Sequence, residues 1–151
     1  MKSSTKFVIA GLLRDKLKTF EKISHWHKHC HLLHEGKFAL NKEFGLVSTD
    51  NCFISEITLA ELKFGVENSE KPDKNRKALE DFLTAIYVLP IFHSLDLYAK
   101  EKARLRKAGI TIDDFDLLIG VTSIMHGLTM VTNNTDHFKR INGIDLENWT
   151  I

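Results

Sequence analysis

Proline and glycine are scarce: two prolines and eight glycines in 151 residues leave no composition for a long flexible linker. The two cysteines, Cys30 and Cys52, cannot build a disulfide framework, and their number suits a reducing cytoplasm. Neither sign of charge is in excess. Lysine and arginine total 21 against 20 acids, a formal charge of +1, so nucleic-acid binding would have to come from local patches. No apolar run approaches the roughly 20 residues of a membrane span. The stretch "FVIAGLL" at 7–13 follows two lysines, yet it is short for a signal core and has no cleavage site after it. Internal repeats and low-complexity tracts are absent. What remains, with 43% hydrophobic and 27% charged residues, is the balance of one soluble domain, expected in the cytoplasm and not at a membrane.

The elements become sharp after residue 51. "CFI" is a short strand, and Ser55 stands where it can cap a helix through "EITLAELKFGVE". Pro72 and Asp73 open a second helix with Leu79, Phe82, Leu83 and Ile86 on one face. "YVLPIF" (87–92) is an apolar connector or strand. Ser94 begins a third helix, basic in its last turns and stopped by Gly109. Asp113 or Asp114 caps a fourth, "FDLLIGVTSIMHG". "LTMVT" (128–132) is a buried strand, "DHFKRI" a short helix, and "IDLENW" a last edge strand. Nearer the start, "LLRDKLKTFEKI" (12–23) has helical apolar spacing, and "KFVIA" (6–10) is the one strand-like run. Strands alternating with helices predict an α/β fold, a parallel sheet of four or five strands covered on both faces.

Two acids break apolar faces. Glu61 sits among Ile57, Leu62 and Phe64, and Asp116 stands directly before "LLIGVTSI". A carboxylate turned toward a core is costly unless it is paired or binds a metal. Taken singly, each acid is as readily explained by a cap or a basic neighbour. Their relation to "LTMVT" favours a site, because parallel sheets gather ligands beyond the carboxyl ends of their strands. Thr132, Asn133 and Asn134 follow that strand's end.

In "FISEITLAELKFGVENS", "DDFDLLIGVTSI", "LTMVTNNTDHFKRI" and "IDLENW", in that order, residues 35–151 resemble the PIN-domain ribonucleases. More closely, they resemble the VapC group, the toxins of type II toxin–antitoxin pairs. The resemblance implies a three-layer PIN-like α/β domain that hydrolyses RNA with Mg²⁺ or Mn²⁺ held by a few acids. It further implies an antitoxin partner and a homodimer. By motif position the metal ligands would be Glu61 and Asp116, with Asp114 in an outer role. Asn134 fills a polar fourth position, and Thr132 orients the pocket. Clustered acids repel one another when empty and so recruit a cation. A hard ion such as Mg²⁺ keeps several waters and needs only a few carboxylates. For the RNA backbone the first candidates are Lys100, Arg104 and Arg106, with Lys102 and Lys107 beside them. The same run is equally a solvated helix end favoured by the macrodipole.

The family's opening strand, which delivers its first catalytic Asp, has no counterpart here. Where it would fall the chain reads "KISHWHKHCH", part of a stretch holding five of the eight histidines. His25, His27, His29 and His31 would share one face of an extended segment and could bind zinc, although their spacing matches no finger pattern. A forward shift of one nucleotide offers another account, since permitted codons then spell "KYLIGTNIAI", the family strand with Gly for Asp. Trp26–His27 fixes that glycine as GGC, one base from the aspartate codon GAC. The same base separates the Trp26 codon from a stop. Residues 1–34 are therefore set apart as an atypical segment, a frame or fusion scar, from a PIN domain at 35–151. A strand from 6–10 or 25–31 could take the missing strand's place. His93, His126 and His137 read as structural or surface residues, and Cys52 as core.

Overall fold

The computed structural model describes residues 7–9, 51–132 and 134–148. Strand β1 (Phe7–Ile9) is followed, beyond residue 50, by β2 (Cys52–Ser55) and helix α1 (Glu56–Glu67). Helix α2 (Pro72–Leu83), β3 (Tyr87–Leu89) and a single 3₁₀ turn (Phe92–Ser94) come next. Then follow α3 (Leu95–Lys107), α4 (Asp114–Met125), β4 (Thr129–Val131), α5 (Thr135–Phe138) and β5 (Leu146–Glu147).

The ends of these elements are written in single residues. Ser55 leaves the strand in extended conformation and its side chain accepts from the Thr58 N–H, so β2 passes straight into α1. Pro72 occupies the first turn of α2, where its missing N–H costs nothing. Gly109, at φ +68°, ends α3, and the Ile110 N–H closes back onto the Leu105 carbonyl at 2.9 Å. Of the two candidate caps for α4, Asp113 does the work: its side chain accepts from the Phe115 N–H at 3.0 Å.

The strands form one five-stranded sheet in the order β3-β2-β1-β4-β5, every neighbouring pair parallel. The central strand is Phe7–Ile9, from within the segment set apart as atypical. The expected helix at 12–23 and the cluster His25, His27, His29 and His31 lie outside the described residues, as does Cys30.

Alternation along β4 divides the core into two layers. Val131 faces a cluster with Ile54, Leu62, Val66, Leu79, Phe82 and the predicted core residue Cys52, beneath α1 and α2. Met130 faces the opposite cluster, with Leu105, Leu117, Val121, Phe138 and Ile141 from α3, α4 and the α5 region. This is the three-layer α/β arrangement. Phe64, placed by sequence on the apolar face of α1, instead points outward and is 70% exposed.

Candidate functional site

In a parallel α/β fold the helix following a strand begins at the strand's carboxyl end, so α1, the amino end of α4 and α5 converge on one edge of the sheet. Asp116 lies in the first turn of α4, where the helix dipole favours negative charge, and is only 9% exposed. Across from it, α5 brings His137. Its Nε2 stands 3.2 Å from Asp116 Oδ2, buried, and makes no hydrogen bond. The imidazole is held edge-on by the Phe138 ring, 5.4 Å away.

The turn joining β4 to α5 supports this pair. Thr132 is fully buried, its N–H donates to the Glu147 carbonyl, and its Oγ1 accepts from the Asn134 N–H at 3.1 Å. Asn134 is exposed and precedes α5, its carbonyl accepting from the His137 and Phe138 N–H groups. Glu61 sits half-buried near the middle of α1, a helix that packs against α4. Two residues before Asp116, Asp114 turns away to α3, where Lys102 Nζ holds both its oxygens at 2.6 and 2.7 Å. That ammonium keeps the Asp114 carboxyl below its ordinary range, and Asp114 in turn raises the lysine. Asp114 is thus engaged outside the Asp116 pocket.

The basic candidates on α3 divide. Lys100 and Arg106 are exposed. Arg104 is committed to a clamp: its Nε donates to Glu101 Oε2 at 2.9 Å, and a terminal nitrogen reaches the Arg140 carbonyl at 2.6 Å. Glu101, 6% exposed, also accepts from the Asn142 N–H at 2.8 Å, so α3 fixes the turn following α5. The Arg104 hydrogen bonds hold the Glu101 carboxyl below its usual value.

Among the described residues no three of His, Cys, Asp and Glu gather closely enough to hold a metal between them. Asp116 and His137 do stand together. A divalent ion that keeps its waters needs only one or two protein donors, so this pair is a fitting seat for one, with Glu61 on the adjacent helix. Sequence reasoning set His137 aside as structural or surface, and the structure places it against Asp116. Its one signal was a place directly before the buried Phe138, just past the strand end that marks the site.

The model of the family described as PIN domain matches residues 31–144. Ribonuclease VapC2 of Rickettsia felis is 37% identical over 105 residues, covering 69% of this chain and 78% of the relative. The tRNA(fMet)-specific endonuclease VapC of Shigella flexneri is 33% identical over 113 residues, 74% of this chain and 85% of the relative. Among solved structures, the fold is similar to that of DNA-bound VapBC from Salmonella typhimurium, with a TM-score of 0.76 and 27% identity over 96% of this chain and 98% of that one. VapBC2 from Rickettsia felis, bound to a DNA fragment of its promoter, gives a TM-score of 0.70 at 27% identity, covering 96% and 99%. With the three-layer fold and a buried acid at the carboxyl edge of its sheet, the chain belongs to the PIN-domain family and, within it, to the VapC ribonucleases, toxins of toxin–antitoxin pairs.

Proposed function

We propose that the chain is a cytoplasmic endoribonuclease that hydrolyses RNA at the Asp116 edge of its sheet, using Mg²⁺ or Mn²⁺ and restrained by a cognate antitoxin. The observation that carries this reading is the burial of Asp116 beside His137, where three elements converge. A carboxylate held beside an imidazole in the first turn of a helix is a ready donor for a divalent ion. Asp116 and Glu61 would hold the ion, and Asn134 and Thr132 would shape the pocket around the scissile phosphate. A bound ion would supply an acidified water and offset the negative charge that develops on the phosphate oxygens. Lys100 and Arg106, free of the clamp that occupies Arg104, would steer the RNA backbone. Asp114 acts at a distance by fixing α4 against α3 through Lys102. A homodimer is the expected assembly.

The name of the Shigella relative makes tRNA(fMet) the first substrate to try. The test is cleavage of that tRNA and of total RNA by antitoxin-free protein, with Asp116→Ala and Glu61→Ala as controls. Metal-dependent cleavage abolished in both variants supports the proposal. Protein that binds antitoxin yet never cleaves, at any Mn²⁺ concentration, sinks it and leaves a non-catalytic antitoxin-binding module. The atypical opening segment, residues 1–34, belongs to the same proposal as a frame scar, whose shifted reading has a glycine where the family has its first Asp. Sequencing codons 20–40 decides that point, since codons unable to spell "KYLIGTNIAI" remove it. A zinc content lost on replacing His25, His27, His29 and His31 would give the cluster a role of its own.

A further inference from the structure

His137 is the feature that the proposed nuclease reading leaves without a role. A plain ion pair would align its N–H with the carboxylate. Here Nε2 meets Asp116 Oδ2 at 3.2 Å without a hydrogen bond, and it is buried from solvent. A buried nitrogen that stays unpartnered is costly, and few native ones lack a reason. The separation supplies one. Two ligands at right angles on an octahedral ion with bonds of about 2.1 Å lie about 3.0 Å apart. Asp116 Oδ2 and His137 Nε2 therefore stand at the spacing of neighbouring ligands.

From this geometry we infer that His137 is a direct nitrogen ligand of the ion at Asp116, which makes the site selective for Mn²⁺ over Mg²⁺. The inference rests on the proposed placement of the metal at Asp116. Imidazole suits the transition ions, whereas Mg²⁺ prefers carboxylate, carbonyl and water oxygens. One carboxylate and one imidazole thus form a mixed donor pair, unlike the all-oxygen set that Mg²⁺ favours. The Phe138 ring, itself packed in the core with α4, stands edge-on to the imidazole and orients the nitrogen before the ion arrives.

The decisive measurement is electron spin echo envelope modulation on Mn²⁺ bound to the full chain, with affinities for Mn²⁺ and Mg²⁺ by calorimetry. The expected result is directly coordinated ¹⁴N in the native chain, lost in His137→Gln. Mn²⁺ affinity should fall about 10- to 100-fold in that variant while Mg²⁺ affinity changes far less. His137→Glu should move preference toward Mg²⁺. The native spectrum needs no variant, so a His137 substitution that fails to fold does not blunt the test. Mn²⁺ bound with no ¹⁴N coupling overturns the ligand role and leaves the Asp116 metal site standing. A ¹⁴N signal that survives His137→Gln and disappears when His25, His27, His29 and His31 are replaced also overturns it. Mn²⁺ binding that Asp116→Ala leaves untouched overturns both the inference and the placement of the metal on which it rests.

Discussion

Gly120 controls how closely α5 approaches α4, and Gly120→Ala gives a worked prediction. A methyl group there would meet Ile141 Cδ1 at 2.6 Å, with Ile144 Cδ1 at 3.4 Å and Phe138 Cδ1 at 3.7 Å. In an open helix interior alanine would be favoured by about 1 kcal/mol. Here Ile141 must withdraw by about 0.8 Å to reach ordinary contact, and it is 2% exposed, within a packed cluster. Overfilling of this kind costs about 1–3 kcal/mol. The two effects leave a net destabilisation of about 1 kcal/mol. The displacement is passed to Phe138, and so to its neighbour His137, drawing the imidazole from Asp116. Urea unfolding gives the stability change, and Mn²⁺ titration of the folded variant should show weakened binding. A Gly120→Ala protein stabilised by the full helix preference, with metal affinity intact, would refute the reasoning, since Ile141 would then be free to move.

Asp116→Ala should lower RNA cleavage by more than about 100-fold, the upper end of what losing an outer partner of a metal site costs, while the circular dichroism spectrum stays native. A variant retaining a tenth of the activity would place the chemistry elsewhere. Glu101→Gln should destabilise the fold by about 1.5–3 kcal/mol at neutral pH, the range for hydrogen bonds to a charged group. Its folded carboxyl lies below the ordinary value of 4.5, so the native stabilisation is complete above that value and drains as pH falls through the folded one. Urea curves of native and variant protein should therefore converge in acid, and curves that stay parallel would exclude the clamp. Replacing Lys100 and Arg106 together by glutamine should flatten the salt dependence of RNA binding by about 0.7 in log–log slope for each lost phosphate contact. An unchanged slope would remove them from the RNA path.

Helix limits were legible because they are local. Ser55, Pro72, Gly109 and Asp113 act on backbone within a few residues, and the helices begin and end there. The two-sided core was legible too, through strands that alternate with helices and the apolar spacing of α2. The burial of Asp116 was foreshadowed by a motif that places an acid on an apolar helix. Pairings between distant elements carried no such mark. Nothing local says that Lys102 takes both oxygens of Asp114, or that Arg104 is spent on Glu101 and Arg140. His137 meets Asp116 across two helices, where Gly120 leaves room for Ile141 and Phe138 against α4. "KFVIA" was visible as a strand and as one of two candidates for the missing strand's place, and Phe7–Ile9 does fill the centre of the sheet; only the choice between 6–10 and 25–31 carried no local mark.

That central position has a kinetic meaning. β1 pairs Phe7 with both Cys52 and Thr129, so it is the seam between a β3-β2 half and a β4-β5 half. Among the described residues the two halves of the sheet are joined only across this strand. β1 comes first among the described strands, and both its edges are satisfied only once residues near 52 and 129 have been made. Long-range parallel pairing of this kind is slow, because loop closure is paid before any contact rewards it. A nascent chain would hold two unjoined half-sheets with bare inner edges until the seam is filled, a state open to strand exchange with other extended segments. For a toxin, such a delay means that the length of time before the seam closes, as well as the amount of antitoxin, sets when the folded enzyme first exists.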